Sequence, residues 1–197
     1  MSIILSKRPR RLFIVNDTSV PRVLKHFPDA ILVGDSTNSK LKFTISNLPH
    51  HISQADLTNK VIMYRTINGT RVFEALQSQP LTIACGFNNV SSVTQFLKTR
   101  DESVVIVMAG EADIKDTGDE ISDQFSRDVL VAHLTNKSYD WDAVKRQVRQ
   151  VIQQYEGDLF ALKAPGIDVI LEKDRYQTIP ATKISPEGFL ELYDLKS

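Results

Sequence analysis

Val61-Ile62-Met63-Tyr64-Arg65-Thr66-Ile67-Asn68-Gly69-Thr70-Arg71-Val72-Phe73-Glu74-Ala75-Leu76 reads as a strand, a tight turn and a helix. Val61 to Tyr64 is a short apolar run with β-branched content, the mark of a buried strand. Val72, Phe73 and Leu76 then recur at helical spacing. Gly69 between them lets the backbone turn sharply or pass close to a ligand. Asn68 or Thr70 is expected to cap the helix. Free N–H groups at such a helix start can hold an anion, and Arg71 adds positive charge beside it. The Gly-x-x-x-x-Gly-Lys spacing of a nucleotide-phosphate loop is missing. A capped strand–helix turn with no ligand therefore stands beside the anion-site reading.

Upstream, Leu12 to Val15 is a strand, Asn16 to Ser19 supplies turn and cap residues, and Val20, Val23, Leu24 and Phe27 mark a helical face. Pro21 falls in the first turn, where it is tolerated. Ala30 to Val33 is the next strand, closing at Gly34-Asp35-Ser36. This is a βαβ unit, which makes a right-handed crossover between parallel strands. Leu41 to Ile45 is expected as an edge strand. His50 and His51 are adjacent, so they point different ways on a regular element, and no third ligand stands at metal-binding spacing to them.

Downstream, Leu81 to Cys85 is expected as a strand, and Gly86-Phe87-Asn88-Asn89-Val90-Ser91 as a second turn rich in Asn and Ser. Ser92 and Gln95 have capping-box spacing, with Val93, Phe96 and Leu97 as the buried face. In open α/β sheets, ligands bind outside the carboxyl ends of the strands, where both turns would lie. Val104 to Met108 reads as the clearest strand in the chain. The loop after it carries Glu111, Asp113, Asp116, Asp119 and Glu120, with Asp123 in the first turns of the following helix. Acidic residues at a helix start are favoured by its dipole. The other reading is a divalent-cation site, because Mg²⁺ takes one or two carboxylates plus substrate phosphate oxygens. Trp141 to Tyr155 is an amphipathic helix with Asp140 as cap and Gly157 as stop. Leu159 to Leu162 and Asp168 to Leu171 are short apolar pieces, Tyr176 to Ile179 reads as a strand, and Glu187 to Leu195 as a last helix or strand.

Lys+Arg and Asp+Glu are equal at 24 each, so no global field draws the chain to nucleic acid or to an anionic membrane. The local exception, Lys7-Arg8-Pro9-Arg10-Arg11, is expected as a solvated basic arm within residues 1–11. Cys85 is the one cysteine, which excludes an internal disulfide and suggests a buried, inert thiol. No apolar run has the length of a membrane span, and a cytoplasmic location is expected. The 197 residues are read as a single α/β domain.

These pieces resemble the 2-phosphosulfolactate phosphatase family. Its Thr-Thr-Asn-Gly-Thr-Arg turn is similar to Thr66, Asn68, Gly69, Thr70 and Arg71, and its Gly-x-x-Asn-Ala-Ser turn to Gly86 through Ser91. Asn47-Leu48-Pro49, Ala109-Gly110, Asp168-Val169, Asp174 and Ile179-Pro180 follow in family order. The resemblance implies a three-layer α/β/α fold with a mostly parallel or mixed sheet, and a Mg²⁺-dependent phosphatase acting on a small phosphorylated metabolite such as 2-phosphosulfolactate. It implies metal binding and catalysis by Asp35 and Asp123, and substrate binding by Asn68, Gly69, Thr70, Arg71, Asn89 and Ser91. The alignment sets Leu12 to Val15 on the family's second strand, which reads as a divergent, N-terminally shortened member. Asp35 and Ser36 stand where the family has Glu and Arg, Ser122 where it has Glu, and Arg65 where it has Thr. A non-catalytic relative that binds an anionic metabolite or a protein partner is the alternative. A homodimer is one expectation, because a truncated sheet leaves an edge to cover.

Overall fold

The computed structural model describes residues 1–35, 40–110 and 118–197, with the backbone alone for residues 118–122 and Glu156. The described residues group into two compact units, Met1–Ala84 with Thr178–Ser197, and Cys85–Gln177.

The first unit holds α1 (Ser2–Ser6), β1 (Arg11–Ile14), α2 (Val20–His26), β2 (Ile31–Gly34), β3 (Ile45–Ser46), α3 (Pro49–Gln54), β4 (Val61–Arg65), α4 (Ile67–Ala75), β5 (Pro180–Ile184) and β6 (Leu190–Asp194). The six strands form one sheet in the order β3-β2-β4-β1-β6-β5. β3, β2, β4 and β1 run parallel, while β6 and β5 pair antiparallel at the other side. This is the α/β class with the mostly parallel, mixed sheet expected, consistent with a three-layer arrangement.

β4 lies between β2 and β1 because it is apolar on both faces; Val61, Ile62 and Met63 are all buried. Its register sets Met63 against Phe13 and Leu32, and Ile62 against Leu12 and Ile31. Side chains alternate along a strand, so Phe13, Val15, Leu32, Val61 and Met63 share one face. They pack with Val20 and Val23 of α2 and with Phe189. Leu12, Ile14, Ile62 and Val33 are buried on the opposite face.

Several expectations are corrected here. α4 begins at Ile67, with Thr66 extended at its N-cap, so neither Asn68 nor Thr70 is the cap. Gly69 lies in the first helical turn and not in a sharp turn. The tight backbone falls at Gly34, with φ +139°. A Cβ there would stand 1.6 Å from the Arg65 carbonyl oxygen of the neighbouring strand. Of the edge strand expected over Leu41 to Ile45, only Ile45 joins the ladder, continuing to Ser46. Leu81 to Cys85 makes one isolated antiparallel bridge, Ile83 to Ala181, and is no strand; it lies beside β5 with too few paired residues. The strand expected at Tyr176 to Ile179 begins instead at Pro180. Residues 1–11 are not a free arm: α1 buries Ile3 and Ile4, and Arg11 opens β1 with ion pairs to Glu187 and Glu191.

The second unit holds α5 (Val90–Leu97), α6 (Gly118–Leu134), α7 (Trp141–Glu156) and α8 (Phe160–Ile170). A 3₁₀ turn, Phe87–Asn89, leads into α5. Ser92 does not cap α5; Asn89 is its N-cap, and the Ser92 hydroxyl donates to Gln177 Oε1 at 3.0 Å. α7 starts and stops as read: Asp140 Oδ1 accepts the Ala143 N–H at 3.0 Å, and Gly157 has φ +50°. The two apolar pieces around Pro165 are one helix, α8, which carries that proline inside. The local core joins Phe87, Val90, Val129, Val148 and Ile167, and Phe87 meets Trp141 edge-on at 5.1 Å. Val104 to Met108 is not a strand. It finds no ladder partner among the described residues, and Val105 is 83% exposed while Ile106 packs on this core.

Candidate functional site at the carboxyl edge of the sheet

Four parallel strands deliver their carboxyl ends to one edge of the first unit. Asn16 and Asp17 follow β1, Asp35 follows β2, Asn47 follows β3, and Arg65 ends β4 just before α4. The close approach at Gly34 explains why these groups meet. With no side chain there, the Asp35 N–H reaches the Arg65 carbonyl at 3.0 Å. That bond turns the Asp35 carboxylate toward the start of α4.

Asp35 Oδ1 accepts the Ile67 N–H at 3.2 Å, and Oδ2 accepts from Asn47 Nδ2 at 2.8 Å. A carboxylate at a helix N-terminus is stabilised by the dipole and by the donor it engages. The Thr66 N–H is taken by Thr70 Oγ1 at 3.1 Å, so buried Thr70 closes the helix start from within. The next two N–H groups, of Asn68 and Gly69, have no acceptor among the described residues. Arg71 is exposed, with no ion pair among the described residues. A Cβ on Gly69 would lie 2.9 Å from Thr66 Oγ1, so a side chain there would make the Thr66 hydroxyl shift. The Tyr64 phenol is pushed up to about 12 by burial, with the Asp35 charge adding to the effect. It stays protonated and neutral beneath the edge.

Arg65 stands out in the sequence only as a departure from the family's Thr, with no role attached to it. Its Nε donates to Asp17 Oδ1 at 3.0 Å, its side chain is 14% exposed, and its Nη1 is buried without a hydrogen-bond partner. Asp17 was read only as a turn residue. The signal available for both was their place: a cation and a carboxylate at the ends of neighbouring parallel strands.

The second unit holds the remaining candidates. Asn89 is buried and its Oδ1 accepts the Gly86 N–H at 3.0 Å, which closes the turn. Ser91 gives its N–H to Asp174 Oδ1 at 2.8 Å and its hydroxyl to Oδ2 at 2.7 Å. Asp174, seen in the sequence only as part of a late family pattern, thus anchors this turn. Ser91 also lines an open cavity of about 490 Å³ with Lys98, His133 and Lys137. Asp123 lies in α6. The acidic loop lies outside the described residues over 111–117. Cys85 is half-buried, and burial pushes its thiol up to about 12, with Asp174 contributing. His50 and His51 sit in α3, where His51 Nδ1 lies 2.7 Å from Ser46 Oγ.

Among the described residues, no three His, Cys, Asp or Glu side chains converge as a metal site. The donor chemistry still fits Mg²⁺ in its sparse mode, one carboxylate with substrate oxygens and water. Each Asp35 oxygen accepts a single described hydrogen bond and keeps a lone pair for such an ion.

The fold and this edge define an α/β protein with a charged site at the carboxyl ends of its parallel strands. The chain belongs to the 2-phosphosulpholactate phosphatase family, whose model matches residues 1–161. It is 32% identical over 94 residues to a protein of Thermotoga petrophila named "Probable 2-phosphosulfolactate phosphatase". That match covers 47% of this chain and 40% of the relative. A protein of the same name from Thermoplasma volcanium is 22% identical over 180 residues, covering 90% of this chain and 81% of its own. No described helix is long and apolar enough to cross a membrane.

Proposed function

We propose that this protein hydrolyses a small anionic phosphate monoester, such as 2-phosphosulfolactate, with Mg²⁺ as cofactor. One observation carries the reading: a carboxylate, Asp35, sits on the first N–H of α4 while the N–H groups of Asn68 and Gly69 stand open beside it. The family membership and the names of the relatives support the same chemistry.

In this reading the phosphoryl group lies on the Asn68 and Gly69 N–H groups, where the helix dipole and Arg71 favour negative charge. Thr70 keeps that helix start in shape through the Thr66 N–H. Asp35 would hold Mg²⁺, which when bound neutralises charge on the transferring phosphoryl oxygens. Asn47 holds the Asp35 carboxylate in place. Asp123 as a metal carboxylate, with Asn89 and Ser91 as substrate contacts, rests on the family resemblance and is tested by substitution one at a time. A cytoplasmic location and a homodimer complete the proposal; sedimentation checks the latter.

A second reading is favoured by the departures from the family pattern, Asp35 and Ser36 where it has Glu and Arg and Ser122 where it has Glu. In it, the protein binds an anionic metabolite, or a protein partner, without turnover. Phosphate release from a panel of monoesters, with Mg²⁺ and then with a chelator, separates the two. Chelator-sensitive release that falls in Asp35→Asn and Asp123→Ala supports the hydrolase. Anion binding by folded protein with no release from any ester supports the binder.

A further inference from the structure

We propose that Arg65 is the cation that grips the bound anion, through Nη1, and that Asp17 is the positioning residue that aims it. The inference rests on the reading of this sheet edge as an anion site. It adds a residue that the family pattern does not supply, since Arg65 stands where that pattern has a Thr.

Arg65 closes β4, the central parallel strand, and immediately precedes the N-cap of α4. Its side chain is mostly buried, and Nε is engaged by Asp17 at 3.0 Å. Nη1 is buried and has no hydrogen-bond partner. A guanidinium is charged at every accessible pH, so it cannot escape this situation by losing a proton. A desolvated, charged N–H without an acceptor is costly, and an oxyanion supplies the acceptor. The hydrogen bond that Arg65 Nε donates to Asp17 restrains the plane of the fork, while Nη1 keeps an unused donor. Arg rather than Lys suits this task, because its donors hold fixed directions relative to one another.

The geometry also says what class of ligand fits. Asp17 and Asp35 follow the two strands that flank β4, so a carboxylate lies to either side of Arg65. The N–H groups of Asn68 and Gly69 follow it along the chain. A compact tetrahedral oxyanion, with oxygens for both Arg65 and those N–H groups, matches this set of donors.

The test is calorimetric titration of inorganic phosphate, without metal, into wild type, Arg65→Ala, Arg65→Lys, Asp17→Asn and the double variant. Thermal unfolding of each confirms a folded sample. Arg65→Ala should weaken phosphate binding by about tenfold or more, the loss of a charge-assisted hydrogen bond. Arg65→Lys should recover only part of it. Asp17→Asn should weaken binding in the wild-type background and change nothing further once Arg65 is alanine, a coupling that a merely structural role for Asp17 would not show. Wild-type affinity in Arg65→Ala overturns the inference and leaves the anion-edge reading standing. No phosphate binding by wild type at millimolar concentration overturns both.

Discussion

Gly34 carries more of the site than its size suggests. Its φ of +139° and the 1.6 Å approach of the Arg65 carbonyl oxygen exclude any side chain. The obstacle is backbone, which cannot swing aside. Gly34→Ala is expected to destabilise by at least ~3 kcal/mol, read as a lower denaturant midpoint. Gly34 was legible in the sequence only as the end of a strand; the need for glycine comes from a neighbouring strand that a single sequence does not display. Cys85 was legible as an inert thiol, and its pKa near 12 agrees. An aromatic disulfide reagent at neutral pH should react slowly with native protein and fully in denaturant. Fast native reaction would contradict that environment.

Within single elements, the sequence was most informative where one local signal decided the outcome. Asp140 and Gly157 bound α7 because a cap and a left-handed stop act within a few residues. Asp140→Ala should cost ~1 kcal/mol, measured by chemical unfolding. Strands were less legible, since a strand exists only with a partner. Val104 to Met108 has the right residues but finds no ladder among the described residues. Leu81 to Cys85 has one bridge. β4 was correctly read because its apolar run is also the centre of the sheet. Phe13, fully buried opposite Met63, should cost ~3–5 kcal/mol when replaced by alanine.

The ties between distant parts of the chain also set a pH response. Arg11 opens β1 and reaches Glu187 and Glu191 at the other end of the sequence. Hydrogen bonds from Arg11 and Ser185 hold the Glu187 carboxyl down to about 2. A depressed carboxyl pKa stabilises the fold fully above its ordinary value near 4.5, and that contribution is lost as pH falls toward 2. The Tm of Glu187→Gln should therefore lie below wild type near neutral pH and converge with it in acid. A constant difference across that window would rule out the pair as the cause.

For the whole molecule, the α/β class and the parallel direction of β1 and β2 followed from apolar runs and turn residues alone, while the insertion of β4 between them did not. The candidate site was half legible. Asn68, Gly69 and Arg71 lie in the first turns of α4, and Asp35 accepts its first N–H. Thr70 and Asn89 each hold their own turn, a structural use that residue type and spacing do not reveal. Arg65 with Asp17 was missed, because pairing across parallel strands leaves no mark in local sequence.

The central claim is that this edge performs metal-dependent phosphate-ester hydrolysis with Asp35 in the site. Its most direct test is inorganic phosphate release from 2-phosphosulfolactate by wild type and Asp35→Asn, each with Mg²⁺ and with excess chelator. The account predicts release by wild type with Mg²⁺, abolished by chelator and reduced at least about a hundredfold in Asp35→Asn, the scale of losing a group that acts in the transition state. Release that is indifferent to chelator, or undiminished in folded Asp35→Asn, would contradict it.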